Sequence, residues 1–401
     1  MQGGLALIVG GGNVGIGVMM RSLRDAGYDI AVVTHHRKQA RWLRQRGPQV
    51  QLTGDGHDRL RLAPCPAVAA TEPRCVTELV RSASLVVVTV APQRLSEVAS
   101  LLAPGLARRR RPVNVLVCDN RLQAGTRFAR DVALVAGDAV AARHGFVGLL
   151  LDQVATSGVG EDGSFVHVEA NGRMFLDATG LRAEPPVLPG ALLVEDHQAY
   201  VLRKLYLFSA GHAAGAFLGR LRGHTLMSDA LADPVVTHLV RRSLGEARAG
   251  LEHRYGARFV GGDEAVRSCL TRYADPDLGD SITRVARNPD RKLRAEDRIC
   301  GPAQLALAAG IDTPALALVA AAGLCAHERL QPGFGHRDVD ASAGAVLMSR
   351  VSGLASEDPF VGAAGAAYAQ LTHEGLVATA RTGADPVLPG PSCNDDDRGV
   401  A

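Results

Sequence analysis

The chain has 401 residues, of which 47% are hydrophobic and 21% are charged, and its formal net charge is +3. This length allows two domains with a large core, and the small net charge argues against nucleic acid as the main partner. The seven cysteines are scattered, without a CxxC pair or a zinc-type cluster, which favours a reduced compartment.

The beginning of the chain runs directly into an apolar strand pattern, without a basic segment followed by a small-residue cleavage site. No apolar run reaches the roughly 18 residues typical of a membrane span. We therefore expect a cytoplasmic protein with a small-molecule substrate and with no nucleic-acid or membrane partner, while the pattern favours no particular oligomeric state.

Short apolar runs alternate with helical stretches in the first half of the chain. The predicted strands cover residues 5–9, 29–34, 85–90, 113–118 and 165–170. Strands that alternate with helices predict a doubly wound, mostly parallel sheet. We therefore predict an α/β architecture with an N-terminal Rossmann domain over residues 1–190.

Apolar residues recur at helical spacing from about residue 193 onward. This pattern predicts a mainly α-helical substrate and catalytic domain over residues 191–385. The last segment, 386–401, is polar and proline-rich, which predicts a disordered tail. Beyond the first helical stretch, the predicted helices cover residues 227–252, 262–274, 302–309, 312–328, 340–353 and 358–378.

A glycine-rich motif follows the first predicted strand directly. Gly10, Gly12 and Gly15 form G-x-G-x-x-G at the start of a predicted helix. In this context the first glycine permits a tight turn, the second lets the backbone approach a pyrophosphate, and the third lets helix and strand pack closely. The motif predicts dinucleotide binding, against the alternative of a merely tight turn.

The second predicted strand lacks the acidic residue that binds the adenine ribose of NAD. Thr34 stands in its place, and His35, His36, Arg37 and Lys38 follow. This basic cluster favours either the 2′-phosphate of NADP or a solvated loop, so the sequence supports NAD with NADP as an open alternative. The full set of expected cofactor contacts is Gly10, Gly12, Asn13, Val14, Gly15, Thr34, His35, Arg37, Thr89, Val90, Asp119 and Asn120.

Lysine is rare in this chain: only Lys38, Lys204 and Lys292 occur among 44 basic residues. Arginine is effectively always protonated, whereas a buried lysine with a lowered pKa can accept a proton. Lys204 and His212 lie two turns apart in one predicted helix, so both can face one cleft. They are candidates for alcohol chemistry, against the alternative of a surface lysine and a core histidine.

Several segments resemble the polyol-specific long-chain dehydrogenase/reductase family, most closely its mannitol-1-phosphate 5-dehydrogenase branch. GGGNVGIG is similar to the branch's N-terminal glycine motif, and CDNR (118–121) to its segment beside the nicotinamide. RKLYLFSAGHAAGAFLG resembles the catalytic K-x4-N-x2-H helix, and RVARNPDRKL (284–293) the substrate-binding segment. The motifs follow the family's order over most of the chain.

The resemblance implies roles for particular residues. Lys204 matches the general base, and His212 matches the residue that orients the substrate. Arg284 and Lys292 match positions that anchor substrate hydroxyls or phosphate, and we add Arg291 to this predicted substrate-binding set. The resemblance implies no metal.

Two positions depart from the family pattern. Ser209 replaces the motif asparagine, and Gly148 replaces a second asparagine or aspartate near the end of a strand. Donors aimed at a developing oxyanion are each worth about 3 kcal/mol. Losing both weakens the case for ordinary alcohol oxidation more than the case for the fold.

Three functions remain open on the sequence. The first is an NAD(P)-dependent oxidoreductase acting on a secondary alcohol of a polyol, sugar or sugar phosphate, with Lys204 as general base and Ser209 and His212 beside it. The second is a redox-neutral dehydratase or epimerase that uses tightly bound NAD for transient oxidation of a sugar or nucleoside. The third is a dinucleotide-binding protein without catalysis.

Overall fold

The computed structural model describes residues 3–53, 59–160, 163–170, 172–328 and 340–373. The chain forms two compact units that divide between Leu202 and Arg203. The predicted disordered tail at 386–401 lies outside the described residues.

Twelve described strands build the first unit. In chain order they are β1 (Leu5–Val9), β2 (Asp29–Thr34), β3 (Gln49–Leu52), β4 (Arg59–Arg61), β5 (Ala67–Ala69), β6 (Leu85–Val88), β7 (Asn114–Cys118), β8 (Gly145–Asp152), β9 (Ala155–Gly160), β10 (Gly163–Val168), β11 (Arg173–Asp177) and β12 (Ala191–Val194).

Eight of the described strands form one sheet in the order β12-β11-β8-β7-β6-β1-β2-β5. All neighbours are parallel except β8 and β11. From β5 to β8 the order is that of a doubly wound Rossmann sheet, with its switch point between β1 and β6. The predicted strands at 5–9, 29–34, 85–90 and 113–118 are confirmed within two residues at each end.

The sheet is buried on both faces, which explains the continuous apolar runs of its strands. In β1, Leu7 and Val9 point into one core, whereas Ala6 and Ile8 point into the other. Because alternate side chains serve opposite faces, every residue of such a strand must be apolar.

A smaller sheet of four described strands, in the order β4-β3-β10-β9, was not predicted. Its strand β10 covers most of the predicted strand 165–170 but begins two residues earlier. This sheet lies beside the glycine-rich turn: the Asn13 side chain exchanges hydrogen bonds of 3.0 and 3.1 Å with Ser157 of β9.

Helices cover the first sheet. A π-type helical segment (Asn13–Met19) leads into α1 (Met20–Asp25), and short 3-10 turns span Pro92–Arg94 and Ala178–Gly180. The other helices of this part of the chain are α2 (Arg37–Gln45), α3 (Pro73–Ser82), α4 (Leu95–Ala107), α5 (Ala124–Ala136), α6 (Asp138–Arg143) and α7 (His197–Arg203).

The second unit is mainly helical in its described residues, as predicted, with one isolated antiparallel bridge between Leu226 and Ser281. After a π-type segment (Lys204–Phe208) and with a 3-10 turn at Pro276–Leu278, its helices are α8 (Ser209–Leu221), α9 (Met227–Ala232), α10 (Pro234–Tyr255), α11 (Ala257–Val260), α12 (Gly262–Tyr273), α13 (Ile282–Val285), α14 (Pro289–Lys292), α15 (Cys300–Ala308), α16 (Pro314–Glu328), α17 (Ala341–Ser352) and α18 (Pro359–His373).

The predicted helix 227–252 is two helices, because Asp233 and Pro234 interrupt it. Asp233 caps α10 by accepting from the amides of Val235 and Val236, and Pro234 occupies the first helical position. Among the helices that the structure describes, none is both long and apolar enough to cross a membrane.

The division at residue 202 lies beyond the predicted domain boundary at 190. Strand β12 pairs with β11 of the large sheet, and Val201 of α7 packs against Leu150 and Phe175. These contacts explain why residues 191–202 group with the first unit.

Candidate active site

A cavity of about 610 Å³ opens at the carboxyl ends of β1, β2 and β6. In open α/β sheets, this edge of the switch point is where ligands bind. The expected cofactor contacts that line the cavity are Gly10, Gly12, Thr34, His35, Thr89 and Val90. The expected contacts outside its lining are Asn13, Val14, Gly15, Arg37, Asp119 and Asn120.

The three motif glycines have different reasons for lacking a side chain. Gly10 has φ +129°, and a Cβ there would lie 2.5 Å from Thr89 Oγ1. A Cβ at Gly15 would lie 2.1 Å from the carbonyl oxygen of Gly10. A Cβ at Gly12 would meet no atom within 4 Å. Gly10 and Gly15 therefore shape the turn, whereas Gly12 leaves open space for a ligand.

The end of β2 presents a hydroxyl and an amide in place of a carboxylate. Thr34 is 2% exposed, and its hydroxyl donates to Gln39 Oε1 of α2. Gln39 Nε2 in turn donates to the Gly11 carbonyl at 2.6 Å. Gln39 thereby connects β2 to the glycine-rich turn, a link that sequence reasoning missed.

The basic residues after β2 are partly engaged. His35 Nδ1 lies 2.9 Å from Arg94 Nη2, and Arg94 also pairs with Glu97 at 2.8 Å. The hydrogen bond from Arg94 lowers the pKa of Glu97. Arg37 is exposed at the start of α2.

At the end of β7 the predicted pair Asp119 and Asn120 has two environments. Asp119 is buried, and its carboxylate accepts from the Arg121 amide at 3.1 Å and from Arg121 Nε at 2.6 Å. Asn120 is exposed. The Asp119 carboxylate therefore orders the turn that follows β7.

Gly148 lies within β8, under the imidazole of His197. A Cβ at position 148 would lie 2.8 Å from His197 Cε1, so the ring occupies the space a side chain would need. His197 is 4% exposed, and its Nε2 has no hydrogen-bond partner among the described residues. Burial lowers the pKa of His197.

The helix that carries the predicted catalytic motif contains an irregular turn directly after α7. Lys204 opens the π-type segment Lys204–Phe208, and Ser209 opens α8. A π-type turn is wider than an α-helical one, and such turns are frequent at functional sites. Lys204 is half-buried, and Ser209 is 6% exposed.

His212 belongs to a charge cluster formed with Asp280, Arg284 and Lys292. His212 Nε2 lies 2.8 Å from Asp280 Oδ2, and its ring stacks on Tyr273 at an interplanar angle of 12°. An ionised carboxylate only accepts, so Nε2 is the nitrogen that carries the hydrogen. Burial lowers the pKa of His212, although the bond to Asp280 opposes this shift.

Asp280 holds Arg284 as well as His212. Arg284 Nε donates to Asp280 Oδ1 at 2.8 Å, and Arg284 Nη2 donates to Oδ2 at 2.6 Å. Burial raises the pKa of Asp280, but the hydrogen bond from His212 and the charges of His212 and Arg284 outweigh it, and the pKa lies below its ordinary value. The carboxylate is therefore an anion that fixes two predicted site residues.

Lys292 is 5% exposed at the end of α14. Its ammonium donates to the carbonyl oxygens of Val285 and Arg287. Burial, reinforced by the positive charges of Arg298 and Arg291, lowers the pKa of Lys292 to about 7. Arg291 precedes it on α14 and is half-buried.

Sequence reasoning missed Asp280, Tyr273, Gln39 and His197. The i,i+4 spacing of Asp280 and Arg284 is a visible helix-type ion-pair signal. Nothing in the sequence links Asp280 to His212, which lies 68 positions away. Among the described residues, no group of three or more His, Cys, Asp or Glu side chains is arranged to hold a metal ion.

The sheet order, the cavity at the switch point and the geometry of the three glycines define a Rossmann-type protein of the dinucleotide-binding class. The mannitol dehydrogenase Rossmann domain model matches residues 5–190, and the mannitol dehydrogenase C-terminal domain model matches residues 196–331. The chain therefore belongs to the mannitol dehydrogenase family of polyol oxidoreductases.

Curated relatives support this family membership along both domains. Mannitol-1-phosphate 5-dehydrogenase of Brevibacillus brevis is 31% identical over 329 residues, which cover 80% of this chain and 85% of that protein. The enzyme of the same name from Exiguobacterium sp. is 31% identical over 324 residues, or 80% of this chain and 84% of that protein.

Solved structures share the fold. Pseudomonas fluorescens mannitol 2-dehydrogenase, in a ternary complex with NAD and D-mannitol, has a TM-score of 0.72 at 16% identity, covering 94% of both chains. A substrate-free D-sorbitol dehydrogenase has a TM-score of 0.69 at 15% identity, again covering 94% of both chains. The resemblance inferred from the motifs is thus confirmed.

Proposed function

We propose that this protein is an NAD-dependent dehydrogenase that acts on a secondary alcohol of a polyol or sugar phosphate. The observation that carries the proposal is the glycine-rich turn, where Gly12 faces open space beside a cavity at the sheet's switch point. The substrate class follows the relatives named mannitol-1-phosphate 5-dehydrogenase.

The cavity's residues fit a dinucleotide. Gly10, Gly12 and the helix that starts at Asn13 would hold the pyrophosphate, because that helix end offers backbone amides to an anion. The Thr34–Gln39 pair would take the adenine ribose with neutral groups, where many NAD enzymes use an acid. When bound, the nicotinamide accepts or returns the hydride.

Lys204 would take the proton of the reacting hydroxyl. Lysine can do this when its surroundings lower its pKa, and general-base catalysis contributes about 10²- to 10⁴-fold. His212, with Nε2 held by Asp280, would present Nδ1 to a substrate hydroxyl. The Ser209 hydroxyl would be the hydrogen-bond donor at the position where the family motif has an asparagine.

Arg284 would anchor an anionic substrate, together with Arg291. Arg284 binds Asp280 through Nε and Nη2, so Nη1 is the nitrogen that would donate to a phosphate. Lys292 would contribute mainly through its positive charge near the substrate, since its ammonium already donates to two backbone carbonyls.

The experiment is to mix the purified chain with mannitol 1-phosphate or D-mannitol and NAD or NADP, and to follow the absorbance of reduced nicotinamide. We expect reduction of NAD, and a fall in kcat of about 10²- to 10⁴-fold for Lys204→Ala. Lys204→Arg should not restore the rate, because arginine keeps its proton. Full activity of a folded Lys204→Ala variant would refute the assignment.

A second function is favoured by one observation, the pair of altered polarising positions. Position 148 is a glycine covered by His197, and position 209 is a serine, so neither carries the polar side chain that the resemblance implies, an asparagine or aspartate at 148 and an asparagine at 209. Because these positions depart from the pattern of the dehydrogenases, the alternative function is a redox-neutral dehydratase or epimerase that oxidises a sugar or nucleoside only transiently. Tightly retained NAD in a mass spectrum of the purified protein, with product but no net reduced nicotinamide, would select this function over the first.

A further inference from the structure

A second cavity of about 580 Å³ lies in the Rossmann unit, on the side of α2 that faces the small sheet. We call it the α2 groove and define it by six of its lining residues, Lys38, Trp42, Arg46, Gln49, Arg61 and Phe165. Gly11 and Gln39 line both this groove and the dinucleotide cavity. Gln39 is thus a shared wall between two spaces of similar size.

The α2 groove is positively charged. Lys38 and Arg46 lie at the two ends of α2, and Arg61 lies at the end of β4. Among its described lining residues there is no aspartate or glutamate. Cations around a concave surface concentrate anions, and an arginine fork matches the geometry of a phosphate.

A buried acceptor points to a ligand with hydrogen-bond donors. Gln49 of β3 is 7% exposed, and its Oε1 has no hydrogen-bond partner among the described residues. Leaving a buried acceptor unsatisfied costs about 1–3 kcal/mol, so a hydroxyl or N–H supplied by a ligand would be favourable there. A bare inorganic anion would supply the charge but only weakly this donor.

The groove also offers one flat apolar surface. Trp42 lies half-buried along it, whereas Phe165 is 6% exposed and its ring already packs against the Arg59 guanidinium, 3.8 Å from the ring centroid. Sugar rings and nucleobases pack on such faces. The Asn13–Ser157 hydrogen bonds mark the end of the groove nearest the glycine-rich turn.

We propose that the α2 groove is a second ligand site, separate from the dinucleotide cavity, for a phosphate monoester on a hydroxylated ring, such as a sugar phosphate or a nucleoside monophosphate. The phosphate binds Arg46 and Arg61, and a ring hydroxyl or N–H donates to Gln49 Oε1. Because Gln39 borders both spaces, a ligand here is placed to change dinucleotide affinity. The proposal does not rest on the dehydrogenase reaction.

Trp42 is the only tryptophan in the chain, so its fluorescence reports on this groove specifically. The full chain, saturated with NAD, is titrated separately with ribose 5-phosphate, adenosine 5′-monophosphate, NADP and inorganic phosphate. We expect a saturable change with the two phosphate monoesters, and only a weak response to inorganic phosphate. Tighter binding of the nucleotide places its base on Trp42, whereas equal affinity identifies the sugar phosphate as the recognised part.

Variants test the contacts. Arg61→Gln and Arg46→Gln should each raise the Kd about tenfold, as expected for loss of a charge-assisted hydrogen bond. Methionine has a similar volume but lacks the acceptor, so Gln49→Met should weaken the binding of both phosphate monoesters but not that of inorganic phosphate. Arg110→Gln, an exposed arginine outside the groove, is the matched control and should leave the Kd unchanged.

Three results would overturn the proposal. One is the absence of any saturable Trp42 signal with either monoester. Another is competition, in which the apparent Kd of the monoester rises in proportion to the NAD concentration without reaching a plateau, as expected for a single shared cavity; coupling between two sites would give a shift that saturates. The third is a pattern in which Arg46→Gln and Arg61→Gln weaken the binding of NADP but not that of the two monoesters, which would make the groove part of the cofactor site. None of these bears on Lys204, so each is distinguishable from failure of the dehydrogenase assignment.

Discussion

The glycine-rich turn and the charge cluster around His212 position polar groups in opposite ways. At the turn, side chains are absent so that backbone atoms approach one another: a Cβ at Gly15 would lie 2.1 Å from the Gly10 carbonyl oxygen. In the charge cluster, one buried carboxylate, Asp280, holds His212 and Arg284. The first arrangement depends on volume, and the second depends on charge. The two regions should therefore respond differently to substitution and to pH.

The largest effect is expected at the turn, with two alanine substitutions that separate shape from binding. Gly15→Ala should lower the free energy of unfolding by about 3 kcal/mol or more, because its Cβ meets backbone that cannot move aside. Gly12→Ala should change the free energy of unfolding by less than about 1 kcal/mol but weaken the binding of NAD about 100-fold, or about 2.7 kcal/mol. Denaturant unfolding and NAD titration calorimetry measure the two quantities.

The matched pair also shows how the comparison can fail. Equal losses of stability in the two variants would mean that Gly12 is not in open space. An unchanged affinity for NAD in Gly12→Ala would remove the turn from the cofactor site.

The next effect is expected in the charge cluster, from Asp280→Asn. This change removes the negative charge that His212 and Arg284 share, and breaking a mostly buried pair costs about 2–3 kcal/mol here, since Arg284 is partly solvated. If His212 orients the substrate, its misplacement should lower kcat by about 10- to 100-fold. Steady-state kinetics and thermal unfolding provide the measurements.

The pH dependence of that pair has a definite sign. The pKa of Asp280 is lower in the folded protein than in the unfolded chain, so its contribution to stability is present above about pH 4 and is lost as the pH falls through the folded pKa. The wild-type protein should therefore lose stability on acidification faster than Asp280→Asn. If the free energies of unfolding of the two proteins fell in parallel below pH 4, the assignment of Asp280 as an ionised carboxylate would be contradicted.

The sequence predicted the turn well and the cluster only in part, for a physical reason. A Cβ at Gly15 would meet the Gly10 carbonyl only five positions away, and Gly12 leaves open space, so the spacing of the motif reveals most of the geometry; only the contact of Gly10 with Thr89 joins distant positions. His212 and Lys292 were found through the family motif, but Asp280 lies 68 positions from His212, and only folding joins them. The small sheet was missed in the same way, because β3 and β10 pair across more than a hundred positions.

The third prediction concerns Gly148, which lies under the imidazole of His197. Gly148→Ala should cost about 1–3 kcal/mol, because its Cβ would lie 2.8 Å from His197 Cε1. In a His197→Ala background the same substitution should cost close to nothing, since the ring is gone. A double-mutant cycle of unfolding free energies measures this coupling. Additive costs would show that the ring is not what excludes a side chain at position 148.

The last prediction concerns Lys292, where the effect at any one pH step is small, and it separates the contribution of charge from that of volume. Burial lowers the pKa of Lys292 to about 7, whereas a lysine in the unfolded chain titrates near pH 10.4. Between these values the unfolded chain binds more protons, so the free energy of unfolding should rise with pH, by at most about 1.4 kcal/mol per pH unit. Lys292→Met should remove this rise while keeping a similar volume.

The exposed Lys38 is the matched control, since Lys38→Met should leave the pH slope unchanged. Denaturant unfolding at fixed temperature between pH 7 and pH 10 compares the three proteins. If Lys292→Met kept the wild-type slope, the ammonium would be as well solvated by the Val285 and Arg287 carbonyls as by water. The charge cluster would then be indifferent to pH in this range, and its contrast with the glycine-rich turn would rest on Asp280 alone.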